Sequence, residues 1–282
     1  MPYAFDIPFT IDLTDRVALV TGGNGGIGGM FSRALAACGA TVIILGRNPA
    51  TAEATAKEIV DGGGLADFVA ADVTDEAAMN RVKDWIQEKY GRLNLLINCA
   101  GGTMRPATVQ EDQLADHGER SYFEVPAEEI QREYDVNLRG TWLPTKLLLP
   151  LMIGQEGANI LNISSMSAIL PLTRIPGYSG AKAGVSNYTQ WLATYLAKSG
   201  VRVNALAPGF FETKQNHTLQ YNEDGTPKPR AAKIINGTPM GRQGDLRELI
   251  GAMLFLVSDK AASFVTGVIL PVDGGYSCYS GV

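Results

Sequence analysis

Short runs of aliphatic and β-branched residues recur along the chain, each followed by a stretch long enough for an amphipathic helix. This alternation constrains the fold more than any other feature. The runs are Val17–Val20, Thr41–Leu45, Asp67–Ala70, Leu93–Ile97, Asn159–Ile163, Val201–Leu206 and Val268–Val272. Most are continuously apolar, as parallel strands covered on both faces must be. Between the first two, Ile27, Met30, Phe31, Ala34, Leu35 and Cys38 recur at steps of three and four, which predicts a helix that Gly39 ends. A second helix is expected after Thr74, its expected N-cap, with Met79, Val82 and Ile86 on one side. Later helices are expected over Pro126–Ile153, Tyr178–Lys198 and Leu246–Val257. Crossovers of this length specify an α/β fold: a doubly wound parallel sheet of about seven strands with helices on both faces. No linker, repeat or shift in composition interrupts the pattern, so residues 1–282 are read as one domain. Two segments, near 102–125 and 209–240, are too long for simple connections and are expected to be lids or binding loops.

Composition narrows the partners. The chain carries 24 basic and 29 acidic residues, a net charge of −5, with no basic block. That argues against a nucleic-acid or anionic-membrane surface and leaves a small molecule as the expected partner. Cys38, Cys99 and Cys278 are odd in number and far apart, as reduced thiols in a cytoplasmic setting would be. His117 and His217 have no second ligand at metal-binding spacing, so no metal is expected. The first residues lack the basic and apolar regions of a signal peptide, and no run approaches the roughly 18 apolar residues of a membrane span.

Directly after the first run stands Thr21-Gly22-Gly23-Asn24-Gly25-Gly26-Ile27-Gly28, and then a helix. Glycines here allow positive φ, let backbone N–H groups approach a pyrophosphate, and let the helix pack closely on the sheet. The phosphate would lie at the helix N-terminus, where free donors and the dipole favour an anion. The fold is therefore Rossmann-like, and Gly22, Asn24, Gly26, Ile27 and Gly28 are candidate dinucleotide contacts. At the end of the second run a carboxylate would favour NAD, whereas Arg would accommodate the 2′-phosphate of NADP. The sequence has Gly46-Arg47-Asn48, which favours NADP(H) through Arg47 and leaves NAD(H) as the alternative.

Tyr178 and Lys182, in Pro176-Gly177-Tyr178-Ser179-Gly180-Ala181-Lys182, are four apart and share one helical face. A phenol with an ordinary pKa near 10 moves protons poorly near pH 7, and a neighbouring ammonium stabilises its phenolate. Asn162-Ile163-Ser164-Ser165 ends the fifth run, where open α/β sheets collect reactive groups. The fourth run ends in Asn98-Cys99-Ala100-Gly101, and Asp135-Val136-Asn137 places an amide in an otherwise apolar helix. Pro208-Gly209 follows the sixth run.

With these motifs in order, the chain resembles the short-chain dehydrogenase/reductase family over nearly its whole length. The matching elements are TGxxxGxG at Thr21–Gly28, Asp72, NxAG at Asn98–Gly101, Asn137, Ser165, YxxxK at Tyr178–Lys182 and PG at Pro208–Gly209. Cys99 departs from the second Asn often found there. The resemblance implies that Tyr178 exchanges the substrate oxygen's proton and Ser165 hydrogen-bonds that oxygen. It further implies that Lys182 lowers the tyrosine pKa and holds the nicotinamide ribose, and that Asn137 fixes a proton-relaying water. Asp72 and Val73 would meet adenine. Asn98, Ala100, Gly101, Pro208, Gly209, Phe211 and Thr213 complete the expected cofactor contacts.

The C-terminal half is similar to a narrower branch of the family, the D-mannonate oxidoreductases. The similarity lies in Gly209-Phe210-Phe211, Gln215-Asn216, Asn222-Glu223-Asp224-Gly225, Thr238–Arg242 and the tail from Phe264 to Val282. Lys214 departs from the acidic residue of that branch. A sugar acid needs a cation for its carboxylate and polar partners for its hydroxyls. Arg105 is the first candidate for the carboxylate, followed by Arg174 and Lys214, with Asn216 and Gln215 for hydroxyls. Three readings stand: a D-fructuronate/D-mannonate oxidoreductase, a reductase of another polyol, ketose or 3-oxoacyl compound, or a non-catalytic dinucleotide sensor. The joint presence of Ser165, Tyr178 and Lys182 weighs against the sensor. The resemblance also implies a homo-oligomer, a tetramer or dimer, with contacts from Pro126–Ile153, the last strand and the tail Tyr276–Val282.

Overall fold

A computed structural model describes residues 11–118, 120–212 and 220–281. Among them, strands β1 (Val17–Thr21), β2 (Thr41–Gly46), β3 (Leu65–Ala70), β4 (Leu95–Asn98), β5 (Asn159–Ile163) and β6 (Arg202–Pro208) belong to one sheet. Two-residue strands β7 (Phe211–Glu212) and β8 (Gly244–Asp245) pair separately, and β9 (Ile269–Val272) completes the main sheet. Its order is β3-β2-β1-β4-β5-β6-β9, all parallel. This is the expected doubly wound sheet.

The continuous apolar character of β1 has a direct structural cause. Val17 and Leu19 enter one hydrophobic cluster, with Met79, Val82 and Ile86, while Ala18 and Val20 enter the other, with Phe31 and Leu35. Alternate side chains thus feed cores on opposite faces of the sheet. Chain direction across the sheet reverses between β1 and β4, where Thr21 pairs with Asn98. Ligands in open α/β sheets bind beyond the carboxyl ends at such a switch point.

Helices α1 (Gly26–Ala37), α2 (Pro49–Asp61) and α3 (Glu76–Tyr90) follow the first three strands. The sequence periodicity misses α2 because its buried face is Ala52, Thr55, Ala56 and Ile59, mostly small side chains with a weak apolar signal. Its start is nonetheless encoded: the Asn48 side chain accepts hydrogen bonds from Ala50 and Thr51 N–H, and Pro49 follows at the first position. Asp75, not Thr74, caps α3 by accepting from Ala78 N at 3.0 Å.

The expected helix over Pro126–Ile153 is interrupted. It consists of α4 (Ala127–Tyr134), a π turn over Asp135–Arg139, α5 (Gly140–Leu148) and a 3₁₀ turn over Leu149–Leu151. A π turn inserts an extra residue and rotates the chain, and here it carries Asn137 into full burial. Helix α6 (Pro176–Leu196) starts with proline in its first turn and places Tyr178 one turn before Lys182.

Both long segments carry short helical elements among their described residues. Residues 102–125 contain three 3₁₀ turns, anchored by buried Ala107 and Val109 and by a hydrogen bond from Val109 N to Arg174 O at 3.0 Å. The second segment includes a helix over Pro229–Gly237, held by buried Ala231 and Ile234. Thr213, Lys214, Gln215 and Asn216 lie outside the described residues.

Candidate active site

A cleft of about 500 Å³ opens at the switch point. The turn after β1 contributes Gly22, Asn24, Gly26, Ile27 and Gly28. Arg47, Asp72 and Val73 come from the ends of β2 and β3, Ala100 and Gly101 follow β4, and Tyr178 and Lys182 come from α6. A Cβ on Gly28 would overlap the Gly22 carbonyl, so the turn can close onto α1 only with glycine there. Gly22, at φ +63, would place a Cβ 3.1 Å from Ala100 Cα. The first turn of α1 holds no acidic side chain. The residues present therefore fit a dinucleotide, with the pyrophosphate at that helix end.

Burial opposes ionisation of Asp72, but hydrogen bonds from the Thr74 amide and hydroxyl, at 2.8 and 2.7 Å, outweigh it with help from the Arg47 charge. The carboxyl is held below its usual value.

Several expected cofactor contacts lie elsewhere. Asn98 is buried, and its amide donates to Thr145 Oγ1 and Asn162 Oδ1, both at 2.8 Å. It braces β4 against β5 and α5 rather than turning toward the cleft. Gly209 lines a neighbouring cavity. Phe211 packs its ring where a Gly244 Cβ would otherwise stand, and Pro208 ends β6 in buried surroundings, so neither side chain lines the cleft.

Ser165 leads the 3₁₀ turn after β5. Its Oγ accepts from Ser167 N at 3.1 Å and from Ser167 Oγ at 3.0 Å, and it stands close enough to the Tyr178 phenol to favour the phenolate. Lys182 is buried and donates from Nζ to Ile163 O at 2.6 Å, with Nζ 5.6 Å from the Tyr178 ring centroid. The expected lowering of the phenol pKa by this lysine is not what the protein itself produces. Burial dominates and pushes Tyr178 up to about 12, against the nearby Ser165 hydroxyl, with Cys99 and Glu133 adding to the rise. Burial likewise brings Lys182 down to about 8. The buried Cys99 thiol is pushed up to about 12, as an inert thiol would be.

Asn137 uses both donors on protein groups. Nδ2 donates to Gly102 O at 3.0 Å and to Glu133 O at 2.9 Å, while Oδ1 accepts from Gly102 N at 2.9 Å. One lone pair of Oδ1 is left for a water. The amide thus clamps the turn after β4, a role the sequence reading did not give it.

Glu133, one helical turn earlier, was also missed. Its side chain is fully buried; Oε1 accepts from Met104 N at 2.7 Å, while Oε2 has no partner among the described residues. Desolvation raises its pKa despite the Met104 hydrogen bond and the nearby Tyr178 amide. In Glu128-Glu129-Ile130-Gln131-Arg132-Glu133 it reads as one more solvated charge. Only its spacing of four from Asn137 hinted otherwise.

A second cavity, of about 330 Å³, adjoins the phenol and has Ser165, Tyr178, Gly209 and Phe210 in its walls. Arg174 and Arg230 also line it, whereas Arg105 sits exposed on a 3₁₀ turn and does not. The Asn222–Gly225 stretch makes an exposed tight turn, closed by Gly225 N to Asn222 O at 3.0 Å.

A phosphate-binding turn at the switch point, beside a Ser–Tyr–Lys cluster at the next strand ends, defines a dinucleotide-dependent oxidoreductase. Residues 16–224 match the family described as short chain dehydrogenase, and the chain belongs to that family. A Haemophilus influenzae protein known only as an uncharacterized oxidoreductase is 41% identical over 285 residues, with 100% of both chains covered. Among solved structures, a Haemophilus protein provisionally named a D-mannonate oxidoreductase, with bound NAD, aligns at TM-score 0.93 and 42% identity, covering 98% of this chain and 100% of that one. A gluconate 5-dehydrogenase from Burkholderia cenocepacia, in complex with NADP and tartrate, aligns at TM-score 0.80 and 31% identity, covering 96% and 99%. The oxidoreductase class and the nicotinamide dinucleotide follow. Among the described residues, no helix is long and apolar enough to cross a membrane.

Proposed function

We propose that this chain interconverts a sugar acid and its keto form, D-mannonate and D-fructuronate, with NADP(H) as the preferred coenzyme. The observation that carries the reaction class is that Ser165 and Tyr178 line one cavity, while Tyr178 with Lys182 also lines the adjoining dinucleotide cleft. The sugar-acid reading is supported by the two cations in that cavity and by the name given to the NAD-bound Haemophilus protein.

Ser165 donates a hydrogen bond to the substrate carbonyl and holds it against Tyr178. A phenol kept neutral by burial is an acid, which suits proton donation to the oxygen as the carbonyl is reduced. When bound, the nicotinamide supplies or accepts the hydride and, oxidised, adds a positive charge that favours the phenolate. Lys182 is positioned to hold the ribose and, when protonated, to favour the same phenolate. Asn137 fixes the Gly102 turn on the opposite wall.

Arg47 supports the NADP preference, because it stands at the end of β2 on the cleft wall. NAD(H) is the competing outcome, and NAD is what the Haemophilus protein holds. We also propose a cytoplasmic homo-oligomer, a dimer or tetramer, without nucleic-acid or membrane partners. An aromatic stack on α6 supports self-association: half-buried Tyr188 and exposed Trp191 and Tyr195, with centroids 6.1 and 5.1 Å apart. Sedimentation velocity reads the stoichiometry, and a monomer at micromolar concentration refutes that part.

The deciding experiment is a substrate panel followed by absorbance of the reduced nicotinamide. It includes D-fructuronate, D-fructose, 5-ketogluconate and a 3-oxoacyl thioester, each with NADPH and NADH. The proposal requires D-fructuronate to give the highest kcat/KM. Preference for the thioester or for neutral ketoses overturns it.

A further inference from the structure

The cavity beside Tyr178 is chemically two-sided. One wall carries the Ser165 and Tyr178 hydroxyls, and another carries the guanidinium groups of Arg174 and Arg230. The rest of the lining mixes apolar side chains, among them Val109, Leu172 and Ile175, with the polar Thr103, Thr108 and Gln110. A volume of about 330 Å³ accommodates an open-chain acid of six carbons.

The two arginines differ in how they are balanced. Arg174 donates from Nε to Asp112 Oδ1 at 2.7 Å, and Asp112 also takes Lys233 Nζ on Oδ2 at 2.8 Å. These bonds hold the Asp112 carboxyl far below its usual range, so it stays ionised and committed. Arg230 makes no hydrogen bond or ion pair among the described residues. Burial and the charge of Arg174 both push its pKa down, offset in part by Asp112 and Tyr276. Asp112 is thus taken by Arg174 and Lys233, and the Arg230 guanidinium, on an exposed residue, lines the substrate cavity without an ion-pair partner among the described residues. Its position is fixed by the helix over Pro229–Gly237, whose Ala231 and Ile234 are buried.

We infer that Arg230, with Arg174 behind it, is the carboxylate-binding end of the substrate cavity and sets specificity for acids whose reacting carbonyl lies several carbons away. A guanidinium binds a carboxylate through two parallel hydrogen bonds, and a cation already short of anions gains most from one. This assignment rests on the sugar-acid reading and replaces Arg105, which the fold leaves outside the cavity. Arg174 remains oriented by Asp112, so Arg230 is the residue free to reach the ligand.

Arg230→Gln is the test, with NADPH as coenzyme for the rate measurements and Arg230→Lys as the charge-retaining control. Loss of a charge-assisted bidentate contact is expected to raise KM for D-fructuronate about 10- to 100-fold while kcat changes less than about threefold. KM for D-fructose, which lacks the carboxylate, is expected to move far less, and Arg230→Lys to fall between. Calorimetric titration with D-gluconate supplies a second readout that needs no turnover, with at least tenfold weaker binding expected for Arg230→Gln. An equal KM for D-fructuronate, or equal D-gluconate binding by the variant and wild type, overturns the assignment. So does an absence of D-gluconate binding by the wild type. Turnover with no preference for acids, alongside D-gluconate binding that depends on Arg230, overturns only the sugar-acid reading.

Discussion

Removing the Asn137 amide tests how the cleft wall is built. The side chain is fully buried in the π turn and makes three hydrogen bonds, two to Gly102 and one to Glu133 O. At roughly 1 kcal/mol net for each, Asn137→Ala should cost about 3 kcal/mol of stability, and more if the Gly102 groups stay dry. The variant should also raise KM for the coenzyme, because the freed turn is part of the cleft wall. Asn137→Asp separates shape from hydrogen bonding. A carboxylate there can accept from Gly102 N but would face two carbonyl oxygens with no proton to give, which raises its pKa. A raised folded-state pKa places its contribution to stability at low pH and removes it as pH rises through that value. The deficit of Asn137→Asp against wild type should therefore widen from pH 5 to pH 8. Urea unfolding followed by tryptophan fluorescence, with coenzyme KM on the same samples, measures both effects. Asn137→Ala within about 0.5 kcal/mol of wild type, with normal KM, would refute the clamp.

Other perturbations probe the remaining parts. Arg47→Ala should raise KM for NADPH at least about tenfold and leave NADH within twofold, measured by initial rates; equal losses would remove Arg47 from the 2′-phosphate. Lys182 is depressed to about 8 in the fold from an ordinary 10.5, so its burial weakens the protein below that window and ceases to do so as pH rises through it. Lys182→Met should accordingly gain more stability over wild type at pH 7 than at pH 10, and a pH-independent difference in urea midpoints would contradict this. Glu133 raises the Tyr178 pKa through its charge, so Glu133→Gln should move the pH profile of alcohol oxidation toward lower pH. An unmoved profile would show that the buried carboxyl is not ionised where the phenol titrates.

The order of elements was readable because both faces of the sheet are covered, which makes each central strand a continuous apolar run. Edge strand β3 shows the limit: Leu65 and Phe68 are exposed there, and the sequence reading began it two residues late. Helix α2 was hidden by its small buried residues, and the π turn at Asn137 because no periodicity encodes one inserted residue. Gly22, Gly28, Ser165, Tyr178 and Lys182 were legible because local spacing fixes them on one turn or one strand end. The side chain of Asn98 turns to the neighbouring strand, because a strand-end amide can face either way and only packing against Thr145 and Asn162 decides. Arg105 and Arg230 differ for a similar reason. Each is a loop-region cation in the sequence, and only the placement of the Pro229–Gly237 helix brings one of them to the cavity.

The proposed reaction depends on the Tyr178 hydroxyl delivering a proton to the substrate oxygen beside the bound coenzyme. The most direct measurement is kcat for Tyr178→Phe together with its NADPH affinity by fluorescence titration. The account predicts kcat lower by about 10² or more, with coenzyme affinity and unfolding midpoint unchanged. Near-normal turnover by that variant would contradict it.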